Sequence, residues 1–425
     1  MRLMMLGASL AQLPGILAAR AMGHEVVTCD DRPDSIGHLH GTSHANASTF
    51  SPDDVLREAR SFSVDGIMTM GTDQPVLTAA QVAEALGLPS FLDVETARAV
   101  TDKRNMKRLF DRCGIPAVPW TLYRRTGCSG PVPVESIRTP LVVKPVDSQG
   151  QRGIFFLTRH DEVPTHLDRV LAWSRTDEIL VESHYPNEEV TVSGWVRNGI
   201  ARVLSITDRV TFPETDRLGV CLSHELPSRH LARHGRTLCE LTQSIVSGFG
   251  IREGPLYFQF LIGAGGIRVN EVACRIGGAF ESQFLPRVTG FDLMDAQIRS
   301  VLGLPVPEPK WDALCAFDVF AQGPAISVQL FFAEPCTIAE LAPLDLVKAC
   351  PGVLDAGYHV PVGHAIQSVR DATARVGYCV VEAPDRYALE DRLSFLYETL
   401  TVRDAGGRNR ILHRPVGSGW IARPA

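Results

Sequence analysis

Gln259-Phe260-Leu261-Ile262-Gly263-Ala264-Gly265-Gly266-Ile267-Arg268-Val269-Asn270-Glu271-Val272-Ala273-Cys274-Arg275-Ile276-Gly277-Gly278 is a pair of apolar runs joined by a glycine turn. The pattern predicts a β-hairpin. Folded that way, it brings the Gln259 amide near or opposite the Glu271 carboxylate. Arg275 follows four residues later, then the glycine pair Gly277-Gly278. Oxygen donors suit hard divalent cations, and Mg²⁺ on a nucleotide usually takes only one or two of them from protein. Arginine suits a transferring phosphoryl group.

Two lysine stretches lie upstream. Thr101-Asp102-Lys103-Arg104-Asn105-Met106-Lys107-Arg108-Leu109-Phe110 ends a charged helical segment that begins near Asp93 and stops at Gly114-Ile115-Pro116. Lys144 closes the strand Leu141–Lys144 and is followed by Ser148-Gln149-Gly150-Gln151-Arg152-Gly153. An ammonium beside a flexible glycine loop is a phosphate clamp, because backbone N–H groups and positive charge both face phosphate oxygens. Gly-x-x-x-x-Gly-Lys is absent, so this is not a Walker loop. Combined with the hairpin, the clamp reads as a site for Mg-ATP.

Around these stretches the chain changes character. Strands at Arg2–Leu6, Glu25–Cys29 and Asp65–Met70 alternate with helices at Leu10–Met22 and after Ser51-Pro52-Asp53-Asp54, which implies a parallel sheet covered by helices. A dinucleotide fingerprint is missing, since Gly7 leads into Ala8-Ser9-Leu10. Asp73, in Gly71-Thr72-Asp73-Gln74, either caps a helix or faces a substrate at the carboxyl edge of that sheet. An α+β pattern follows, with strands at Leu141–Lys144, Ile154–Leu157, Ile179–Glu182, Glu189–Val196 and Ala201–Ile206. Thr207 to Leu226 is polar and reads as a long loop, of the kind that moves over a site or carries one. His224 falls in it, where a solvated histidine is the simpler reading and substrate contact the alternative. Pro305-Val306-Pro307-Glu308-Pro309 reads as a boundary. Beyond it, strands near Leu314–Phe320, Ser327–Phe332 and Val376–Val381 and a helix at Arg386–Leu400 suggest a small α+β domain.

Composition narrows the function. The 425 residues carry a net charge of −6, which argues against neutralising nucleic-acid phosphates. No run reaches the ~18 apolar residues of a membrane span. Gly7, Gln12 and Pro14 interrupt the first apolar run, so a strand–turn–helix explains it better than a signal peptide. The ten cysteines have no metal-site or disulfide spacing and read as buried thiols of a cytoplasmic protein. Cys274, beside Arg275, has no histidine placed to activate it and is rejected as a nucleophile.

Taken in order, Lys103, Lys144 with its glycine loop, Ile179-Leu180-Val181-Glu182, Asn187-Glu188-Glu189-Val190-Thr191-Val192 and the hairpin resemble the ATP-grasp superfamily. That superfamily includes biotin carboxylase, carbamoyl-phosphate synthetase, D-alanine–D-alanine ligase and L-amino-acid ligases. The resemblance covers Met1 to Gly303. It implies an N-terminal parallel-sheet domain over 1–98, an ATP-grasp core of two α+β subdomains over 99–304 with a mobile lid at about 118–184, and a C-terminal α+β domain over 305–425. It also implies that Lys103 and Lys144 contact ATP and that Ser148, Gly150 and Gly153 cover its phosphates. Val181 and Glu182 would form the adenine hinge, Glu189 would bind the ribose, and Arg209 would approach the phosphates. Gln259 and Glu271 would hold Mg²⁺, with Mn²⁺ as an alternative, and Arg275 and Lys144 would act in catalysis. Ala273 stands where relatives usually carry a second metal ligand, which leaves one or two metals open.

Arg275-Ile276-Gly277-Gly278-Ala279-Phe280-Glu281 looks like the amino-acid ligases, whose arginine and glycine pair meet a carboxylate, and so does the C-terminal stretch. The implied activity joins a small-molecule carboxylate to an amine through an acyl phosphate and releases ADP. A bicarbonate-dependent carboxylase of the biotin carboxylase type and a non-catalytic ATP-binding protein are the alternatives. The resemblance leaves oligomeric state open, homodimers being frequent among such ligases.

Overall fold

The computed structural model describes residues 1–412. Near the N-terminus, the strands Ser43–Ala45, Glu25–Cys29, Arg2–Leu6 and Gly66–Met68 lie side by side in that order, all parallel. The side chains of the last three are almost entirely buried because helices cover both faces, while Ser43 and His44 on the edge strand are exposed. The helix Pro52–Ser61 starts as expected: Ser51 accepts from the Asp54 N–H, and Pro52 occupies the first turn.

The charged segment from Asp93 is two helices, Val94–Thr101 and Lys103–Arg112. Asp102 breaks it. Its carboxylate accepts from the N–H groups of Arg104 and Asn105 and so caps the second helix. Lys103 becomes the first residue of that helix, and its own N–H donates to the Val146 carbonyl at 2.9 Å. The break therefore sets Lys103 against the glycine loop.

Five strands form a separate antiparallel sheet, ordered Gly127–Cys128, Trp120–Arg124, Glu178–Ser183, Leu141–Pro145, Phe155–Leu157. A larger, nine-stranded sheet runs Gly266–Ala273, Gly254–Gly263, Glu188–Arg197, Ile200–Thr211, Cys221–Leu226, Ala325–Ala333, Gly377–Ala383, Val353–Tyr358, with Ile411–Leu412 pairing the Ala325–Ala333 strand. It crosses the proline-rich boundary without a gap, since Cys221–Leu226 pairs directly with Ala325–Ala333.

Two expectations fail here. Thr207 to Leu226 is mostly strand: Ile200–Thr211 and Cys221–Leu226 pair, leaving only residues 212–220 to connect them. Thr207, Asp208, Ser223 and Glu225 are buried and Arg209 and His224 line a cavity, so polarity in those strands did not mean solvent. Leu314–Phe320 is not a strand either. Glu308–Ala316 is a helix entered through Pro309, a position where the missing N–H costs nothing. Among the described residues no helix is long and apolar enough to cross a membrane.

Candidate active site

The five-stranded sheet and the end of the nine-stranded sheet enclose a cleft. Lys103, Lys144, Ser148, Gly150, Glu182, Glu189, Arg209, Gln259 and Glu271 all line it, although they come from seven separate elements and one loop. The hairpin forms as the sequence predicts, with Gln259 directly opposite Glu271. A β-bulge follows at once, since the next pair is Phe260 with Val269. The bulge leaves Asn270 unpaired, and Asn270 also lines the cleft.

Acids and bases interlock here. Lys103 Nζ lies 3.2 Å from Glu271 Oε1 and donates to the Ser148 carbonyl at 2.6 Å. Burial works against the Glu271 carboxylate, yet the charges of Lys103 and Lys144 outweigh it and hold its pKa below the usual range. Glu182 sits between two ammonium groups, Lys144 Nζ at 2.5 Å and Lys107 Nζ on its other oxygen. Burial again opposes ionisation, but the two lysines win and bring Glu182 down to about 2. Lys107 loses more solvation than Glu182 returns, so its own pKa falls. Arg209 pairs with Glu189 and donates to the Gly219 carbonyl at 2.8 Å.

The loop after Lys144 has the backbone its glycines suggest. Gly150 (φ +68°), Gln151 (φ +63°) and Gly153 (φ +75°) are left-handed. Gln151 takes up a conformation that strains a residue with a Cβ. Gly153 is not part of the cleft lining: a Cβ there would sit 2.8 Å from Pro145 and 2.9 Å from Trp173, so this glycine permits close packing at the loop's base. Val181 also departs from expectation. It is fully buried and flanked on both sides by strands, paired with Thr121 and Val143. Ser183, His184 and Tyr185, just past it, reach the cleft instead.

A second cavity of about 690 Å³ opens beyond the hairpin. Gln149–Arg152, Arg209, Gln259 and Glu271 belong to both spaces, so the paired oxygen donors stand at the junction. Arg275 lines the second cavity. Its Nε and Nη2 contact Asp73 Oδ1 at 2.8 and 2.7 Å, and its guanidinium lies 4.8 Å from the Tyr257 ring centre. Asp73 is thus the partner of Arg275; the helix after it has Gln74 at its cap position. His224 is buried on a strand and not solvated, its Nδ1 3.3 Å from Thr207 Oγ1 and 3.7 Å from Glu281 Oε1. Burial drives its pKa well below the ordinary value. Gly278 lines the cavity and packs on Gly71, whereas Gly277 is closed in: a Cβ there would meet the Tyr257 ring at 2.5 Å and Glu281 Oε2 at 2.6 Å. Cys274 is buried with its thiol pushed up to about 12, which agrees with an unreactive residue.

Among the described residues no cluster of three or more His, Cys, Asp or Glu forms a metal cage. Gln259 and Glu271 nevertheless fit a phosphate-bound Mg²⁺, which needs only one or two hard oxygen ligands from protein. Asn270 in the cleft, Lys107 behind Glu182 and Glu281 behind His224 were not singled out from the sequence, although Lys107 lies one helical turn after Lys103 and so on the same face.

Residues 329–404 match the family model for L-amino acid ligase C-terminal domain 2. The carbamoyl phosphate synthase large chain of Thermomicrobium roseum is 25% identical over 262 residues; the match covers 59% of this chain but only 23% of that protein. The L-amino acid ligase of Bacillus licheniformis superposes with a TM-score of 0.78 at 18% identity, covering 95% of this chain and 98% of that one. Phosphoribosylglycinamide synthetase from Anaerococcus prevotii gives 0.73 at 14%, covering 95% and 99%. Biotin carboxylase from Campylobacter jejuni gives 0.70 at 16%, covering 94% and 91%. The chain has the ATP-grasp fold, and its C-terminal part matches a domain of the L-amino acid ligases.

Proposed function

We propose that this chain is an ADP-forming ligase that joins the carboxylate of one small amino-acid-like substrate to the amine of another. The observation that carries the reading is the junction: a basic cleft meets a separate substrate-sized cavity at Gln259, Glu271 and the glycine loop. The C-terminal match to L-amino acid ligases supports the choice of substrate.

A carboxylate oxygen attacks the γ-phosphorus of ATP and the bond to ADP breaks, leaving an acyl phosphate. The amine nitrogen then attacks the acyl carbon, phosphate departs, and the nitrogen loses its proton. Lys103 and Lys144 attract the phosphates, and Arg275, fixed by Asp73, spreads charge on the transferred group. Mg²⁺ held by Gln259 and Glu271 would neutralise phosphate charge. Residues 149–152, which line both spaces, would cover the junction and keep water from the acyl phosphate.

ADP release with Mg-ATP and pooled amino acids, with hydroxylamine as a trap, tests this. Hydroxamate formed together with ADP is the expected result. ADP release that requires bicarbonate would select the carboxylase alternative, and ATP binding without any ADP release would select a non-catalytic protein.

A further inference from the structure

Gln149 stands where the cleft meets the second cavity and lines both. Its side chain reaches out of the phosphate loop to a distant part of the chain. Gln149 Oε1 accepts from the backbone N–H of Asp73 and, at 3.2 Å, from that of Gln74. These two residues lie just beyond Gly66–Met68, the last strand of the parallel sheet, where the helix Pro75–Leu86 begins. Gln74 occupies the cap position of that helix, and no side chain within it supplies a cap. A cap residue's own N–H has no partner inside its helix. Here the phosphate loop provides the acceptor, from 75 positions away in sequence.

Asp73 links this contact to Arg275. Its N–H meets Gln149 while its carboxylate holds Nε and Nη2 of Arg275. The loop that covers the phosphates therefore rests on the residue that aims the arginine. Two further contacts fix the loop through its backbone. Lys103 donates to the Ser148 carbonyl at 2.6 Å, and the Ala372 N–H donates to the Gly150 carbonyl at 3.1 Å. Gln149 differs in using a side chain, so its contact can be removed alone. A second contact joins the same two parts of the molecule. Asp147, just before the loop, accepts from the Ser174 hydroxyl and from the Arg175 N–H at 2.8 Å. The Arg175 guanidinium in turn lies 3.5 Å from the centre of the Phe50 ring, on the cavity wall.

Resting on the proposed ligase reading, we infer that Gln149 is a positioning residue that latches the phosphate loop shut on Asp73, so that loop closure and the placement of Arg275 occur together. The latch protects the intermediate. With the loop shut, the amine is the nucleophile that reaches the acyl carbon. With it open, a water oxygen attacks that carbon and the bond to phosphate breaks. Carboxylate, phosphate and a proton are then released, and one ATP is spent with no amide bond made.

Q149M tests this, because methionine keeps the length of the side chain and deletes the acceptor. The first readout is ADP released per amide bond formed, with the amine saturating. Wild type should give a ratio close to unity, and Q149M should raise it about 5-fold, the range for one or two lost hydrogen bonds. An unchanged ratio would overturn the inference, as would a higher KM for ATP with the ratio unchanged. The second readout is amide hydrogen exchange of residues 72–74 with Mg-ADP bound, which needs no turnover. That segment should exchange about 5-fold faster in Q149M than in wild type, with the strands of the parallel sheet unaffected. Equal rates in the two proteins would overturn the latch, and so would faster exchange spread over the whole chain. Wild type that shows the protection but forms no hydroxamate would instead mark a failure of the ligase reading.

Discussion

Glu182→Gln removes the single negative charge from between two buried lysines while keeping the side chain's shape. Lys107, Lys144 and Glu182 expose only 1%, 9% and 4% of their side chains, so solvent screens little of the effect. Glu182 is held at about 2 in place of 4.5. At about 1.36 kcal/mol per pH unit, that is roughly 3 kcal/mol of stability. Breaking a buried ion pair from one side costs about 3–5 kcal/mol in general, which agrees. Because the folded pKa is depressed, the contribution is present above pH 4.5 and lost as pH falls towards 2. Urea unfolding of wild type and variant should therefore differ by roughly 3 kcal/mol at pH 7, and the difference should shrink by about half between pH 5 and pH 3. Lys107→Met should cost much less, since Glu182 keeps Lys144. A difference under about 1 kcal/mol at pH 7, or one that does not change with pH, would refute the reasoning.

Glu271→Gln should lower substrate-dependent ADP release by about 100-fold with an unchanged circular-dichroism spectrum; an unaffected rate would sink the metal assignment. Asp73→Asn releases Arg275 from its partner and should lower kcat/KM by about 10-fold, with an unchanged value arguing against any positioning role. Glu281 is pushed up to about 7 chiefly by burial, so the unfolded chain ionises first and stability falls as pH rises from 4.5 to 7. Glu281→Gln should accordingly stabilise the protein by up to roughly 3 kcal/mol at pH 8.5 and by almost nothing at pH 4.5, as read by urea midpoints. Stabilisation of equal size at both would contradict the assigned cause.

The hairpin was legible because its register follows from two apolar runs and one glycine turn, all local. Lys103 and Lys144 were legible because each sits beside a local break, a helix cap or a glycine loop. Lys107 was not, since on sequence alone it is one more cation on a charged helix, and its partner Glu182 lies 75 positions away. Thr207 to Leu226 was misread for a related reason. Thr207, Asp208, Arg209, Ser223, His224 and Glu225 are buried polar residues in paired strands, so the usual alternation of apolar and polar side chains is missing. The Leu314–Phe320 segment is too short and too uniformly apolar for its period to separate strand from helix.

The unbroken pairing of Cys221–Leu226 with Ala325–Ala333 gives the C-terminal part a duty unrelated to chemistry. A chain ended at the proline-rich stretch would bare one whole side of the Cys221–Leu226 strand. The N–H and C=O groups of Ser223–Leu226 that point towards Ala325–Ala333 would lose their partners, with only the Ile200–Thr211 side still paired. Such an edge is a template for another copy's strand, so the final hundred residues also guard the molecule against self-association.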